Sequence, residues 1–222
     1  MTLEFLSAEA GAGVARSPME REALAAGARM ELRDGWNVAV DYGHVEAERA
    51  ALRDGVGFAD SSHLGKLELN APLDELAEVA GKPLELGRAV RFRRAWWCPV
   101  APERALLLCE PPLLREFREE LSGVAIEVTT SYAALTIAGP AARELFARFC
   151  AIDLRPQVTP VGGFRPGSVA RTPGYVLRED DDRFLMLFGW ALGRYLWETV
   201  SDAAAGLGGR PVGLEALGAG DA

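Results

Sequence analysis

Apolar positions recur along the chain in short runs, and their period switches often between helical and extended. SPMEREALAAGARM (17–30) opens as a helix, with Ser17 as cap, Pro18 in the first turn and Glu20 at the third position. WNVAV (36–40) reads as a strand, and GHVEAERAALRDG (43–55) as a helix whose Val45, Arg49 and Leu52 share a face and which Gly55 stops. VGFADSSHLGKLELN (56–70) is a short apolar run, a polar turn and a strand in which Leu67 and Leu69 alternate with Lys66 and Glu68. PLDELAEVA (72–80) is a helix closed by Gly81, RAVRFRRAWWCPVA (88–101) is extended, and Pro102–Glu103 turns it into RALLLCE (104–110). PPLLREFREELSG (111–123) is a helix between proline and glycine. VAIEVTTSYAALTIAG (124–139) gives two strands, GPAARELFARFC (139–150) a helix, and the Gly- and Pro-rich stretch 153–168 a loop. Strands follow at 169–180 and 182–190 around an acidic turn, and then a helix at 192–207 in which Leu192, Tyr195, Leu196, Thr199 and Ala203 keep the helical period.

Helices therefore alternate with pairs of strands, which predicts an α+β fold with antiparallel sheets. The β-α-β-β rhythm occurs at least twice, as in split ferredoxin-like units. The strand Phe184–Trp190 is apolar at almost every position. Both its faces are expected to be buried, by core, by a second domain or by a partner chain.

Composition narrows the class. The 222 residues carry a net charge of −8 and are 49% hydrophobic, which excludes disorder and a disulfide-built miniprotein. The acidic balance argues against nucleic acid, and no uncharged stretch reaches the ~20 residues of a membrane helix. Of the 24 basic residues only Lys66 and Lys82 are lysine. Cys98, Cys109 and Cys150 form no C-x-x-C pair and read as reduced thiols, and residues 1–13 lack the pattern of a leader, so a cytoplasmic protein is expected.

Candidate chemistry is sparse. His63 follows Asp60, Ser61 and Ser62 and reads either as a general base or ligand or as a turn histidine bonded to backbone. No histidine or cysteine spacing fits a metal, so no metal is expected. The run Glu179–Asp182 reads as a hairpin tip from which one carboxylate can point back to accept from an N–H-rich ring. Trp96 and Trp97 offer a stacking face, and as consecutive strand residues they face opposite ways.

Taken together, ERAALRDGVGFADSSHLGKLELN (48–70) resembles the N-terminal signature of the glycine-cleavage T-protein superfamily, with Arg53, Gly57, Phe58, Asp60, Ser62, His63 and Gly65 in its order and spacing. YAALTIAGPAARELFARF (132–149) looks like the second signature, a strand ending in G-P-x-A before a helix. RTPGYVLREDDDRFLMLFGWALGRYLWETVSDA (171–203) is similar to the third, and GGRPVGLEALGAG (208–220) to the G-x-x-P-x-G-L that closes the region. The match covers nearly all of residues 30–217.

The resemblance implies two interleaved ferredoxin-like antiparallel sheet and helix units with tetrahydrofolate in the cleft between them. Residues 19–70 with 124–217 would form the first unit and 71–123 an inserted second one, between a flexible start (1–18) and tail (218–222). The C-terminal β-barrel of the larger members is expected to be missing. The length, and WWCPVAPERALLLCEP (96–111), look like the gamma subunit of heterotetrameric sarcosine oxidase. Folate-binding candidates carried over are Glu179, Tyr175, Asp60 and His63, with Trp96 and Trp97 for stacking. Aminomethyltransferases place a catalytic aspartate in a hairpin that here reads RRAWWCPVAPERA, which has none and offers only Glu103, so the catalytic residue is unassigned. In the third signature either Arg178 or Glu179 aligns with the family's glutamate, and an arginine has no acceptor to offer a pterin.

Three functions follow from the resemblance. The first is an accessory subunit in sarcosine or glycine one-carbon metabolism, partnered by larger flavin-bearing oxidase subunits or self-associating through the apolar strand. The second is a self-contained tetrahydrofolate-dependent aminomethyl or C1 transferase. The third is a folate-independent scaffold.

Overall fold

A computed structural model describes residues 13–218. The rest of the expected flexible start and tail, residues 1–12 and 219–222, lies outside the described residues. Along the chain, β1 (Ala15–Arg16), α1 (Glu20–Ala25), β2 (Arg29–Arg33) and β3 (Trp36–Asp41) precede α2 (Val45–Asp54), β4 (Gly57–Asp60) and β5 (Gly65–Leu69). Helix α3 (Leu73–Ala80) leads into β6 (Val90–Phe92), β7 (Ala95–Ala101) and β8 (Arg104–Cys109), then α4 (Pro111–Glu120) and β9 (Ala125–Glu127). The remainder is β10 (Tyr132–Ala138), α5 (Ala142–Ala147), β11 (Phe164–Val169), β12 (Thr172–Asp180), β13 (Arg183–Gly189), α6 (Gly193–Ala205), β14 (Arg210–Pro211) and α7 (Leu214–Leu217).

The strands form a small sheet in the order β1-β3-β2, a six-stranded sheet β11-β12-β13-β10-β4-β14 and a five-stranded sheet β6-β7-β8-β5-β9. Pairing is antiparallel except for β1 with β3 and β14 with β4. The fold is thus mixed α/β with antiparallel sheets dominating.

Strand parity explains the layering. On β13, Phe184, Met186 and Phe188 pack under α1, α5 and α6 with Leu145, Phe146, Leu196 and Val200. Leu185 and Leu187 point the other way and meet Cys98, Leu106 and Leu108 of the five-stranded sheet. That sheet's far face, with Leu67, Leu69, Trp97 and Leu107, is covered by α3 and α4 through Leu76 and Phe117. The order is helices, six-stranded sheet, five-stranded sheet, helices, so the apolar strand 184–190 is buried on both faces by its own chain. It is also central, between β12 and β10, and offers no surface for self-association.

The chain crosses between the two sheets after β4 and again before β10. The first crossing, Ser61–Leu64, is pinned by its surroundings: Ser61 N donates to the Ala134 carbonyl at 2.9 Å, and Ser62 Oγ accepts from Ala134 N at 3.1 Å. Beyond β10, Gly139 turns the chain into α5 at φ +116, where a Cβ would lie 2.5 Å from the Gly55 carbonyl oxygen.

Several expectations change. The helix expected over 17–30 stops at Ala25, because Gly27 at φ +91 reverses the chain into β2. The extended segment 88–101 is a hairpin whose two turn residues, Arg93 and Arg94, both take positive φ (51 and 60). The expected loop 153–168 contains β11, an edge strand, where Pro166 and its missing donor are tolerated. Lys66 does not face water: its residue is 0% exposed, because the face opposite Leu67 lies against the other sheet.

Candidate functional site

Where the two sheets diverge they leave a cleft of about 210 Å³. Its walls are the Ser61–Leu64 crossing, the β6–β7 hairpin, the end of β8, and the β12–β13 hairpin with α7 beside it. Glu179, His63 and Trp96 come together here from three separate parts of the chain.

Glu179 reaches the cleft by strand parity. Tyr175 and Leu177 face the intersheet core, so Glu179 shares their face. The register shifts between Arg178 and Asp180, which leaves Glu179 as the extra residue of a bulge, a device that re-aims side chains. Its Oε2 accepts from Arg183 Nε at 3.2 Å, and its side chain is 16% exposed. Arg178 points to the opposite face. Its guanidinium donates to the carbonyls of Thr159 (3.0 Å), Asp180 (3.2 Å) and Asp181 (2.9 Å) and lies over the Phe184 ring. Of Arg178 and Glu179, the one with acceptor oxygens faces the cleft.

The imidazole of His63 sits in the crossing. Burial, with smaller contributions from the charges of Lys66 and Arg33, pushes its pKa down to about 4, so it is neutral at pH 7. Behind the crossing, Asp60 accepts from Ser62 N at 2.9 Å and from the Ser17 hydroxyl, and burial raises its carboxyl above the usual range. Lys66 donates its Nζ protons to the carbonyls of Ser62 (2.9 Å) and Leu64 (2.7 Å), and burial lowers its pKa to about 7. Lys66 and Asp60 brace the cleft wall from inside and do not line it.

Trp96 and Trp97 divide as parity requires. Trp96 faces the cleft, with the Arg91 guanidinium carbon 5.8 Å from its ring centroid. Trp97 is fully buried on the helix side, edge-on to Phe117 at 6.1 Å. Tyr175 is stacked on Phe164 at 5.1 Å inside the intersheet core. Among the expected residues, then, His63, Trp96 and Glu179 line the cleft, while Asp60, Tyr175 and Trp97 do not. Glu103 lies exposed in the β7–β8 turn, away from it.

The sequence reading missed the cleft's arginines. Arg94, on the strained hairpin turn, pairs with Glu110 at the end of β8, and Arg183 pairs with Glu179. The only signal for Arg94 was its place on the polar side of the 88–101 segment. The cleft thus offers a carboxylate held by an arginine on two walls, a neutral imidazole and an indole face. It can accept hydrogen bonds from the N–H edge of a flat heterocycle and stack against the ring. Among the described residues no cluster of His, Cys, Asp and Glu could hold a metal ion, and no helix is long and apolar enough to cross a membrane.

No family model matches the chain. It is 29% identical over 237 aligned positions to the aminomethyltransferase of Parafrankia sp. (strain EAN1pec), covering 90% of this chain and 61% of that protein. It is 30% identical over 231 positions to the aminomethyltransferase of Rubrobacter xylanophilus, covering 88% of this chain and 59% of that protein. The chain thus spans about three fifths of the length of these curated relatives. Its fold is similar to that of the glycine cleavage system aminomethyltransferase T of Bartonella henselae (TM-score 0.72, 18% identity, 92% of this chain and 61% of that one). It is also similar to a chain of the heterotetrameric sarcosine oxidase of Corynebacterium sp. U-96, solved in complex with pyrrole 2-carboxylate (TM-score 0.63, 20% identity, 85% and 94%).

Proposed function

This chain belongs to the glycine-cleavage T-protein superfamily, and from that premise we propose that its intersheet cleft binds tetrahydrofolate and that it serves as an accessory, sarcosine-oxidase-gamma-like subunit rather than as the main catalyst. The observation that carries the reading is the pairing of a ring-binding wall with a hairpin that lacks the aminomethyltransferase aspartate. Glu179 supplies acceptors for the pterin N–H edge, and Trp96 a face for the ring. His63, held neutral, adds no positive charge beside the donor edge. The hairpin across the cleft presents Arg94, neutralised by Glu110. When bound, tetrahydrofolate supplies a nitrogen that takes up a one-carbon unit, and this chain's residues orient and shield the ring.

On the same reading, each large sheet with its helices is one α+β unit, and the second unit takes in residues 65–69 and 125–127 beside the 71–123 insert. The partner would be a larger flavin-bearing oxidase subunit. A second reading, a self-contained C1 transferase, is favoured by Glu110, the one carboxylate on the hairpin side of the cleft.

Anaerobic calorimetric titration of the purified chain with tetrahydrofolate tests this directly. The expected result is micromolar binding, weakened about tenfold in Glu179→Gln, as the loss of charge-assisted hydrogen bonds requires, with no aminomethyl transfer by the chain alone. Turnover by the isolated chain would move the assignment to the self-contained transferase. Absence of binding would leave a folate-independent scaffold.

A further inference from the structure

A second space opens at the other end of β12, on the helix side of the six-stranded sheet. It is a cavity of about 440 Å³ between the end of α5, the β11–β12 turn and α6. Along β12, Glu179 lies seven residues beyond Thr172, where that turn ends, which is roughly 23 Å at the rise of a strand. The cavity and the cleft share no residue. Ala147, Phe149 and Ala151 give the cavity apolar walls, and Arg148, Arg171 and Tyr195 line it beside them. No carboxylate does. In a chain of net charge −8 that is a local excess of positive charge. The volume falls within the ~300–1,000 Å³ of small-molecule sites.

The turn that presents Arg171 is strained. Ala170 and Arg171 take φ +46 and +64, a conformation for which two-residue hairpin turns favour glycine and asparagine. Its neighbours hold it in this shape: Ala170 N donates to the Phe149 carbonyl at 2.8 Å, and the Tyr195 hydroxyl donates to the Ala170 carbonyl at 3.0 Å. Arg93 and Arg94 form a similar turn, and there ion pairs with Glu116, Glu120 and Glu110 offset the strain. Arg171 is exposed and, among the described residues, its guanidinium makes no ion pair and no hydrogen bond. Strain that is held in place without a compensating contact is typical of ligand-binding positions. Arg148 is fixed in its turn, with Nη1 and Nη2 donating to the carbonyls of Ala203 at 3.1 Å and Gly206 at 3.3 Å. Glu144 approaches it only to 3.8 Å and does not line the cavity. Tyr195 is left 45% exposed beside the two arginines.

We propose that this cavity binds a small organic monophosphate, with the phosphate between the guanidiniums of Arg171 and Arg148 and the organic body against Tyr195 and Phe149. A monophosphate ester carries nearly two negative charges at pH 7, which two guanidiniums match and a single carboxylate does not. Each guanidinium is a planar fork of donors suited to two phosphate oxygens. The site stands independently of the folate-binding reading.

The test is calorimetric titration of the full chain with phenyl phosphate, beside inorganic phosphate and phenol at matched ionic strength. Phenyl phosphate should bind with a dissociation constant below about 1 mM, at least tenfold more tightly than either fragment, and more weakly as salt rises. Arg171→Gly should abolish this binding without lowering the melting temperature, because glycine accepts the positive φ freely. Arg171→Ala, which keeps the strain, should abolish it as well. No binding of phenyl phosphate by the wild type would overturn the proposal. Binding that survives both substitutions would overturn the assignment to this cavity. Inorganic phosphate bound as tightly as phenyl phosphate would overturn the organic ligand, and a melting temperature that falls in both variants would show that Arg171 serves the fold instead.

Discussion

Arg183 donates its Nε–H to Glu179 Oε2 at 3.2 Å across the β12–β13 hairpin, at the bulge where both side chains enter the cleft. A second donation, from Arg183 Nη1 to the Leu217 carbonyl at 3.2 Å, anchors the pair to α7. The carboxylate is therefore presented in one orientation before any ligand arrives.

This arrangement separates binding from stability. The ion pair is only partly buried, at 29% and 16% side-chain exposure, and such pairs contribute less than about 1 kcal/mol to folding. Glu179→Gln should leave the urea midpoint within that margin while tetrahydrofolate affinity falls about tenfold. A large loss of stability would mean that the carboxylate is a structural bridge and not a ligand contact.

The two neighbouring tryptophans should behave as opposites. Trp97 fills the core between the five-stranded sheet and α4, so Trp97→Ala should cost about 3–5 kcal/mol in denaturant unfolding. Its Nε1–H has no partner among the described residues, so Trp97→Phe, which also removes that donor, should cost less than half of that. Trp96→Ala should be the milder change for folding and the severe one for binding, read by the same titration.

Gly139 is the one residue type the β10–α5 turn accepts. At φ +116 a side chain is strained, and a Cβ would press on the carbonyls of Gly55 and Leu52 at 2.5 and 2.9 Å. Gly139→Ala should therefore lower stability by roughly 2–3 kcal/mol or more, measured by chemical denaturation. A neutral effect would show that the end of α2 can move away.

Local pattern reaches as far as local pattern decides. The opposed faces of Trp96 and Trp97 and the doubly buried strand 184–190 follow from period-two alternation, and the structure has both. What covers the strand was not legible, because contact between the two sheets joins residues far apart in sequence. The burial of Lys66 was hidden for the same reason: alternation puts it opposite Leu67, and only the packing of the sheets makes that face an interior. The Arg93–Arg94 turn carried no warning, since two-residue turns of positive φ favour glycine and asparagine. Within the site, counting along the third signature left Arg178 and Glu179 both open. Strand parity with Tyr175 and Leu177 separates them, once those two are seen to face the second sheet.

The clearest pH signature should come from His63. Burial holds its folded pKa at about 4, below the ordinary 6.5 of an unfolded chain. Between those values the unfolded state binds a proton that the folded state refuses. Stability should therefore rise with pH across that window, by up to about 1.4 kcal/mol per pH unit, and be lost as acid is added. Asp60 works the other way: its raised folded pKa makes the native state the better proton binder, which favours the fold at the acid end. Lys66 is silent there, because its lowered value of about 7 keeps it charged in both states below pH 6. The difference between the wild type and His63→Asn thus isolates the imidazole. Urea denaturation at half-unit steps from pH 4.5 to 6.5 should give a steeper rise for the wild type, and parallel curves would mean that His63 is charged or solvated in the folded protein.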